Sequence, residues 1–553
     1  MMTQKRYSIR ARLLERSQSQ HADRRGMVLL IVMIVVVMIS LAGFGFTALM
    51  FTENKAVSLR GDELQLEHVV ASGRQLTTLF LDLPKASRDA AGGTYDNPSS
   101  FSGIAVDPDT ESDRLARFSI VSPRLEDGEV TGLRFGTQDE STRLNLAVLP
   151  SWDEAAPGAG QRALMNLPGM SESVADALLD WVDADDIKRP LGAESDFYQG
   201  LKRPYSATNA APKSIEELLL VRGVTRELLF GPDTNQNFFV DEVEVNRAQV
   251  QGFASPSTEG RPWCELLTVY SAEGNQDPHG RPRVNLNDDD GTRLKRSLSE
   301  VFLDEWVRYI IAYRQFGPYV GSLPAPTATE TPSNNQPSST AESADDVMEP
   351  LKFKVTSVLD LVDSHVRLSE DPQDTAATVL ESPLRSDAET FRDDLPKLLD
   401  FVTVDQPVIP GRVNINQAPR EVLRGVPGLD DSLIDQIIAS RNLQTEHENT
   451  SMRHAAWLLA ERLIDVTKMK ALDPYITAGG DVHRAQIVAF FDEKSPITRF
   501  EVVVDSTFRP ARQLYFRDLR LLGRGFPIDV LDVTSGRVRS RARATGASEL
   551  RRR

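Results

Sequence analysis

From Met27 to Phe51 the chain runs 25 residues without a charge, MVLLIVMIVVVMISLAGFGFTALMF. At about 1.5 Å per residue a helix of that length is long enough to cross roughly 30 Å of bilayer hydrocarbon. The run therefore predicts a membrane span. The leader before it carries seven Lys/Arg against Glu15 and Asp23. That bias predicts a single pass with the N-terminus cytoplasmic and everything after residue 52 on the far side of the membrane. A secretory signal peptide would have a shorter apolar stretch ending in an Ala-x-Ala-like cleavage site, and this segment has neither property.

The remainder is too long for one ordinary domain. The whole chain has 553 residues, 40% of them hydrophobic, and a net charge of -17. Such apolar content can build a real core. The acidic balance disfavours nucleic acid, because a phosphate-binding face needs an excess of Lys and Arg. The single cysteine, Cys264, forbids an internal disulfide and any zinc site built on several thiolates. The seven histidines are scattered, and neither HExxH, GxxxxGK[ST] nor GxGxxG occurs. Paired carboxylates lie in acidic loops rather than beside a histidine or nucleophile, so no enzymatic activity is expected.

Helical periodicity continues through Val57, Leu64, Val69, Leu76 and Phe80 with no proline before Pro84, which extends the apolar helix into the body. Strand-like alternation follows at Phe118–Val121 and Gly132–Asn145. Short helices are expected over 160–250, short strands over 262–287, and one helix over 295–316. Helical patterns return at 351–366, 390–402 and from 418 to about 470. Three alternating strands, Val482–Phe491, Thr498–Val504 and Gln513–Leu519, close the body as an antiparallel sheet. Pro, Ser, Thr and Asn crowd 321–350, which reads as a disordered linker. The expected segments are 1–26 leader, 27–51 span, 52–150 stalk helix and first strands, 151–320 helical insertion, 321–350 linker, 351–480 second helical region, 481–530 C-terminal strands and 531–553 basic tail. The fold class is α+β: a long N-terminal helix on a small antiparallel sheet, interrupted by a large helical insertion.

Three stretches share one pattern: LMNLPGM at 164–170, LLLVRGV at 218–224 and VLRGVPGL at 422–429. Each ends in a Gly suited to positive φ, followed by a capping Ser, Thr or Asp and a new helix, which reads as a helix-hairpin-helix unit. DNA-binding hairpins usually carry a second Gly two residues on. Here those positions are Ser171, Thr225 and Asp430, and the flanks are acidic, so a structural role is favoured over phosphate binding.

Two acidic turns are candidate metal sites. In DTNQNFFVDEVE at 233–244, Asp233, Asn235, Asn237, Asp241 and Glu244 fall at positions 1, 3, 5, 9 and 12 of an EF-hand-like loop. Phe239 would offer its carbonyl at position 7, making Ca2+ the expected ion. Phe238 stands where the turn normally needs Gly. The second set is Asp183, Asp185, Asp186, Glu194 and Asp196. Bland readings remain for both: an acidic turn, or a solvated loop capping a helix.

The junction Arg24-Arg25-Gly26-Met27-Val28 resembles the class III leader of type IV pilins and pseudopilins. The resemblance implies cleavage after Gly26 by a prepilin peptidase and N-methylation of Met27. Most of that family has Glu at the fifth mature position, where this chain has Ile31. An intramembrane Glu is costly and persists only for a partner, so its absence points to a tip position. DWVDADD at 180–186, KSIEELLLVRGVTRELLFG at 213–231, RVNINQAPREVLRGVPGL at 412–429, LLTVYSAE, DPYITA and LLGRGF resemble the K-type minor pseudopilins of type II secretion. That resemblance implies a pilin-like body with calcium in its helical part. It also implies a structural subunit that caps the pseudopilus tip with other minor pseudopilins and promotes its assembly. The alternatives are a membrane-anchored helix-hairpin-helix protein that binds DNA during uptake, and a membrane-tethered hydrolase.

Overall fold

A computed structural model of the chain describes residues 5–106, 115–126, 129–250, 261–319, 351–369, 378–441, 450–491 and 496–532. The expected linker at 321–350 and the basic tail beyond 532 lie outside the described residues, as do the side chains of the 1–26 leader. The chain divides into two compact units, residues 1–68 with 494–496, and residues 69–493 with 497–553.

Helix α1, Lys5–Asp82, is continuous. In the first unit its residues 27–51 are exposed throughout, and the helix is long and apolar enough to cross a membrane. It ends at Leu83-Pro84, since a residue preceding proline is pushed out of the α region.

In the second unit, the described residues form a seven-stranded antiparallel sheet from β1 (Ile104–Ala105), β2 (Ala116–Glu126), β3 (Glu129–Phe135), β4 (Gln138–Asp139), β5 (Val482–Phe491), β6 (Thr498–Asp505) and β7 (Arg512–Asp518). The order is β1-β2-β5-β6-β7, with β3 added to β2 and β4 to β5. The closure is long-range: β2 pairs with β5 from Val121↔Gln486 to Ala116↔Phe491. Every residue of β5 is buried because both of its faces are covered. On one face Gly73 brings α1 close to Ile487 and Phe118. On the other, Gln486 donates from its side chain to Gln236 O of the helical insertion at 2.8 Å. The insertion has its own core, in which Trp181, Trp263 and Trp457 are almost completely buried.

Local readings fail where side chains cap a turn early. The strand expected over 132–145 is interrupted by the 3-10 turn Glu140–Thr142, which Asp139 caps by accepting from Ser141 N at 2.8 Å. The helix expected over 295–316 is two helices, Gly291–Ser299 and Asp304–Phe316. Asp304 and Glu305 stabilise a new N-terminus there through the helix dipole. The helix expected over 351–366 is only the 3-10 turn Val358–Leu361, followed by strand His365–Arg367. A Ser357/Asp360 capping box closes that turn, and Asp363 at φ 51 ends it. The 390–402 helix opens as a π turn, Thr390–Asp394, before Leu395–Phe401. Pro396 has no N–H with which to continue a regular ladder.

Candidate functional site: the acidic turns of the helical insertion

Helices α2 (Ala159–Met165) and α3 (Glu172–Val182) flank a turn with Gly169 at φ 68. Gly223, at φ 84, joins the 3-10 segment Ile215–Leu220 to α4 (Arg226–Phe230). Gly428, at φ 88, joins α5 (Arg420–Gly425) to α6 (Asp431–Ser440). The first and third turns pack together, with Asn166 Nδ2 donating to Arg424 O at 3.3 Å. The helix starts after the second and third turns are occupied by the protein itself: Thr225 Oγ1 accepts from Leu228 N at 3.3 Å and Asp430 Oδ1 from Leu433 N at 3.0 Å. A carboxylate at the third start repels phosphate.

Helix α3 delivers the first acidic set. Asp180 is fully buried in its last turn, and Asp183 follows one turn on, on the same side. Arg189 joins them: it donates from Nη1 to Asp180 Oδ1 at 3.1 Å, pairs with Asp183, and reaches Asp153 Oδ2 at 3.3 Å. The chain returns through Gly192, where a Cβ would lie 1.9 Å from Asp180 Oδ2. Glu194 is buried, with neither carboxylate oxygen hydrogen-bonded. Asp183 Oδ1 and Asn209 Oδ1 are also buried without a donor. Burial, then the charges of Asp180, Asp183 and Asp186, push the Glu194 carboxyl up to about 7. Burial also raises Asp180 and Asp183, against the opposing pull of Arg189.

Of the residues expected from sequence, Asp183, Asp186 and Glu194 are brought near one another. Asp186 Oδ1 accepts from Asn209 Nδ2 at 2.8 Å. Asp185 turns to cap Ile187 N at 2.7 Å, and Asp196 is exposed in the first turn of Ser195–Gln199. Asp180, Arg189 and Asn209 were not singled out as site residues. The i, i+3 spacing of Asp180 to Asp183 was a usable signal; nothing local marks Asn209. Among the described residues no three His, Cys, Asp or Glu side chains converge as a metal cage. The unpaired acceptors are all hard oxygens, and they fit Ca2+ in donor chemistry.

The 233–244 loop is closed on itself. Asp233 accepts from Asn237 N at 3.2 Å and Phe238 N at 2.9 Å, Asn237 Oδ1 from Phe239 N at 2.9 Å, and Asp241 Oδ1 from Glu244 N at 3.0 Å. Glu244 accepts from Thr234 Oγ1, Asn235 N and Asp241 N. Asn235 Oδ1 alone among these lacks a partner. Phe238 adopts φ 74, the left-handed conformation the sixth loop position requires, despite its side chain. Burial first, then Glu244, pushes Asp233 up to about 7. The loop rests on Arg499 of β6, which is fully buried and donates from Nη1 to Gln236 O at 3.0 Å. Burial holds that guanidinium down at about 10. Loop amides thus donate to the carboxylates of this loop, whereas both Glu194 oxygens lack a donor.

A cavity of about 250 Å³ lies between the sheet and the insertion. Several of its charges pair: Arg412 donates to Glu273 at 2.7 and 2.6 Å, Arg88 to Asp481 at 3.1 Å, and His454 lies 2.8 Å from Asp400.

The comparisons bear on this region. A chain of the crystal structure of the GspK-GspI-GspJ complex from the enterotoxigenic Escherichia coli type 2 secretion system is similar at 11% identity and a TM-score of 0.30; the match covers 83% of this chain and 97% of that one. No curated protein matches. Residues 142–230, which contain the first two turns and the Asp183–Glu194 set, match the family model described as type II secretion system (T2SS), protein K.

Proposed function

We propose that the chain is a minor pseudopilin that caps the pseudopilus tip and promotes its assembly in type II secretion. The observation that carries this reading is the match of residues 142–230 to protein K in a chain whose 25-residue uncharged run directly follows Gly26. Under this reading a prepilin peptidase cleaves after Gly26 and Met27 is N-methylated. Residues 27–51 anchor the subunit in the inner membrane, with the N-terminus cytoplasmic and the body periplasmic. Its partners are other minor pseudopilins. Ile31 fits the tip, where no neighbour's amine needs a buried Glu. The work is packing and contact, with no catalytic step assigned.

The test is intact mass and terminal sequencing of the membrane-extracted protein, with and without active prepilin peptidase. A mature chain starting at N-methylated Met27 supports the reading. A start at Met1 or Met2 despite active peptidase overturns it.

We also propose that Ca2+ binds the insertion through Asp183, Glu194 and Asn209, with Asp186 beside them. Bound there, the ion would neutralise Glu194, whose carboxylate the fold buries without a donor, and would stabilise the folded form alone. Calorimetry of the full chain with calcium and with chelator tests this; identical melting overturns it.

A further inference from the structure

The last strand of the sheet stands out in an otherwise acidic protein. Between positions 509 and 524 the chain carries five arginines, Arg509, Arg512, Arg517, Arg520 and Arg524, against one carboxylate, Asp518. Among the described residues β7 pairs only with β6, so its outer edge presents unpaired backbone amides and carbonyls. Arg512 and Arg517 are held by Asp505 at 2.8 Å and Glu216 at 2.6 Å. Arg509 and Arg524, which flank β7, are exposed and form no ion pair among the described residues; the Arg509 guanidinium lies over Gly280 at the cavity mouth.

Arginines on an edge can serve simply to repel other strands. A guarded edge has no need of exposed apolar side chains, and this strand with the turns that flank it has three. Leu521 is 98% exposed, Phe508 47% and Leu514 39%; Leu514 sits at the register shift opposite Val503/Val504. Phe516 stacks on Phe500 at 4.7 Å, with Arg74 over one ring and Arg520 over the other. The strand is seven residues long and contains no proline, so nothing in it blocks a further ladder.

We propose that the outer edge of β7 takes an added β-strand from a partner protein: an extended segment rich in Asp and Glu with intervening apolar residues. The backbone ladder would supply affinity, Arg509 and Arg524 would select acidic side chains, and Leu514 and Leu521 would cover the apolar ones. A duplex nucleic acid or an anionic bilayer could meet the same arginines but has no use for the strand edge.

The probe is a short fluorescent peptide of alternating Glu and Val, titrated by anisotropy against the full chain in detergent micelles. Three controls accompany it: the Lys/Val counterpart, the Glu/Val peptide N-methylated at alternate amides, and the exposed-site double variant R509E/R524E. The Glu/Val peptide should bind, and each control should weaken binding about tenfold or more. Equal binding of the N-methylated peptide would reduce the site to unspecific charge attraction and overturn strand addition. So would unchanged binding to R509E/R524E, no binding of the Glu/Val peptide, or its displacement by duplex DNA or by anionic vesicles.

Discussion

Arg484 on β5 donates from Nε to Oε1 of Glu140 at 2.6 Å, tying the central strand to the turn from which the helical insertion departs. Glu140 is fully buried and also pairs with Arg143 at 3.2 Å. Burial alone would raise its carboxyl, yet the charges of Arg484 and Arg143 overcome that and hold it at about 2.

Glu140→Gln should therefore destabilise the body by about 3–5 kcal/mol, since it leaves two buried guanidinium groups short of a counter-charge. Because the folded value lies below the ordinary 4.5, the stabilisation is full above pH 4.5 and lost as pH falls towards about 2. Urea unfolding of wild type and E140Q should converge as pH falls through that interval. A constant difference would contradict the assignment.

His454 shows the opposite pattern for a base. Burial pushes its imidazole down to about 4, against the favourable pull of Asp400 and with Arg283 and Lys85 opposing the charged form. The unfolded chain takes up this proton near 6.5 and the folded one only near 4, so stability should fall as pH drops through that window. His454→Gln keeps a donor for Asp400 and should flatten that part of the urea-midpoint profile. An unaltered slope would place the titration elsewhere.

Under the proposed calcium reading, Glu194 would link stability to the ion. Its carboxyl is raised to about 7, so its contribution is full below the ordinary 4.5 and lost as pH rises through 7. In chelator at pH 8, Glu194→Gln should melt higher than wild type. With calcium added, wild type should gain and E194Q should not. Equal calcium responses would remove Glu194 from the ligand set.

Gly192→Ala tests the geometry of the same turn without touching a charge. The new Cβ would meet Asp180 Oδ2, whose side chain is buried and fixed by Arg189. Overpacking of this kind costs about 1–3 kcal/mol. A melting temperature equal to wild type would mean that the Asp180–Arg189 pair is free to move.

The closing strands were legible because β-branched and aromatic residues concentrate in Val482–Phe491 and Thr498–Asp505, and neither segment contains a proline or glycine. The region after 350 was misread for a matching reason. Ser357 and Asp360 cap a single turn there, so apolar spacing that suits a longer helix ends after Leu361. In the acidic turns, spacing marks Asp183 and Glu194 as well as the 233–244 loop. Spacing does not show that the loop's own amides donate to its carboxylates while both Glu194 oxygens are buried without a donor.

The sequence by itself determined the uncharged span at 27–51 and the left-handed glycines at 169, 223 and 428. It also determined the alternation that makes β6 and β7 strands. Each of these is a property of a few neighbouring residues, set by backbone sterics or by side-chain transfer from water. Tertiary structure alone decided that β2 pairs with β5 and that Arg484 reaches Glu140. It also decided that Glu194 is buried beside Asp183 with no donor while Asp196 stays in water. Those outcomes depend on burial and on chain closure over hundreds of residues, and desolvation, which sets the charge state of each carboxylate, has no value until the surrounding chain is in place.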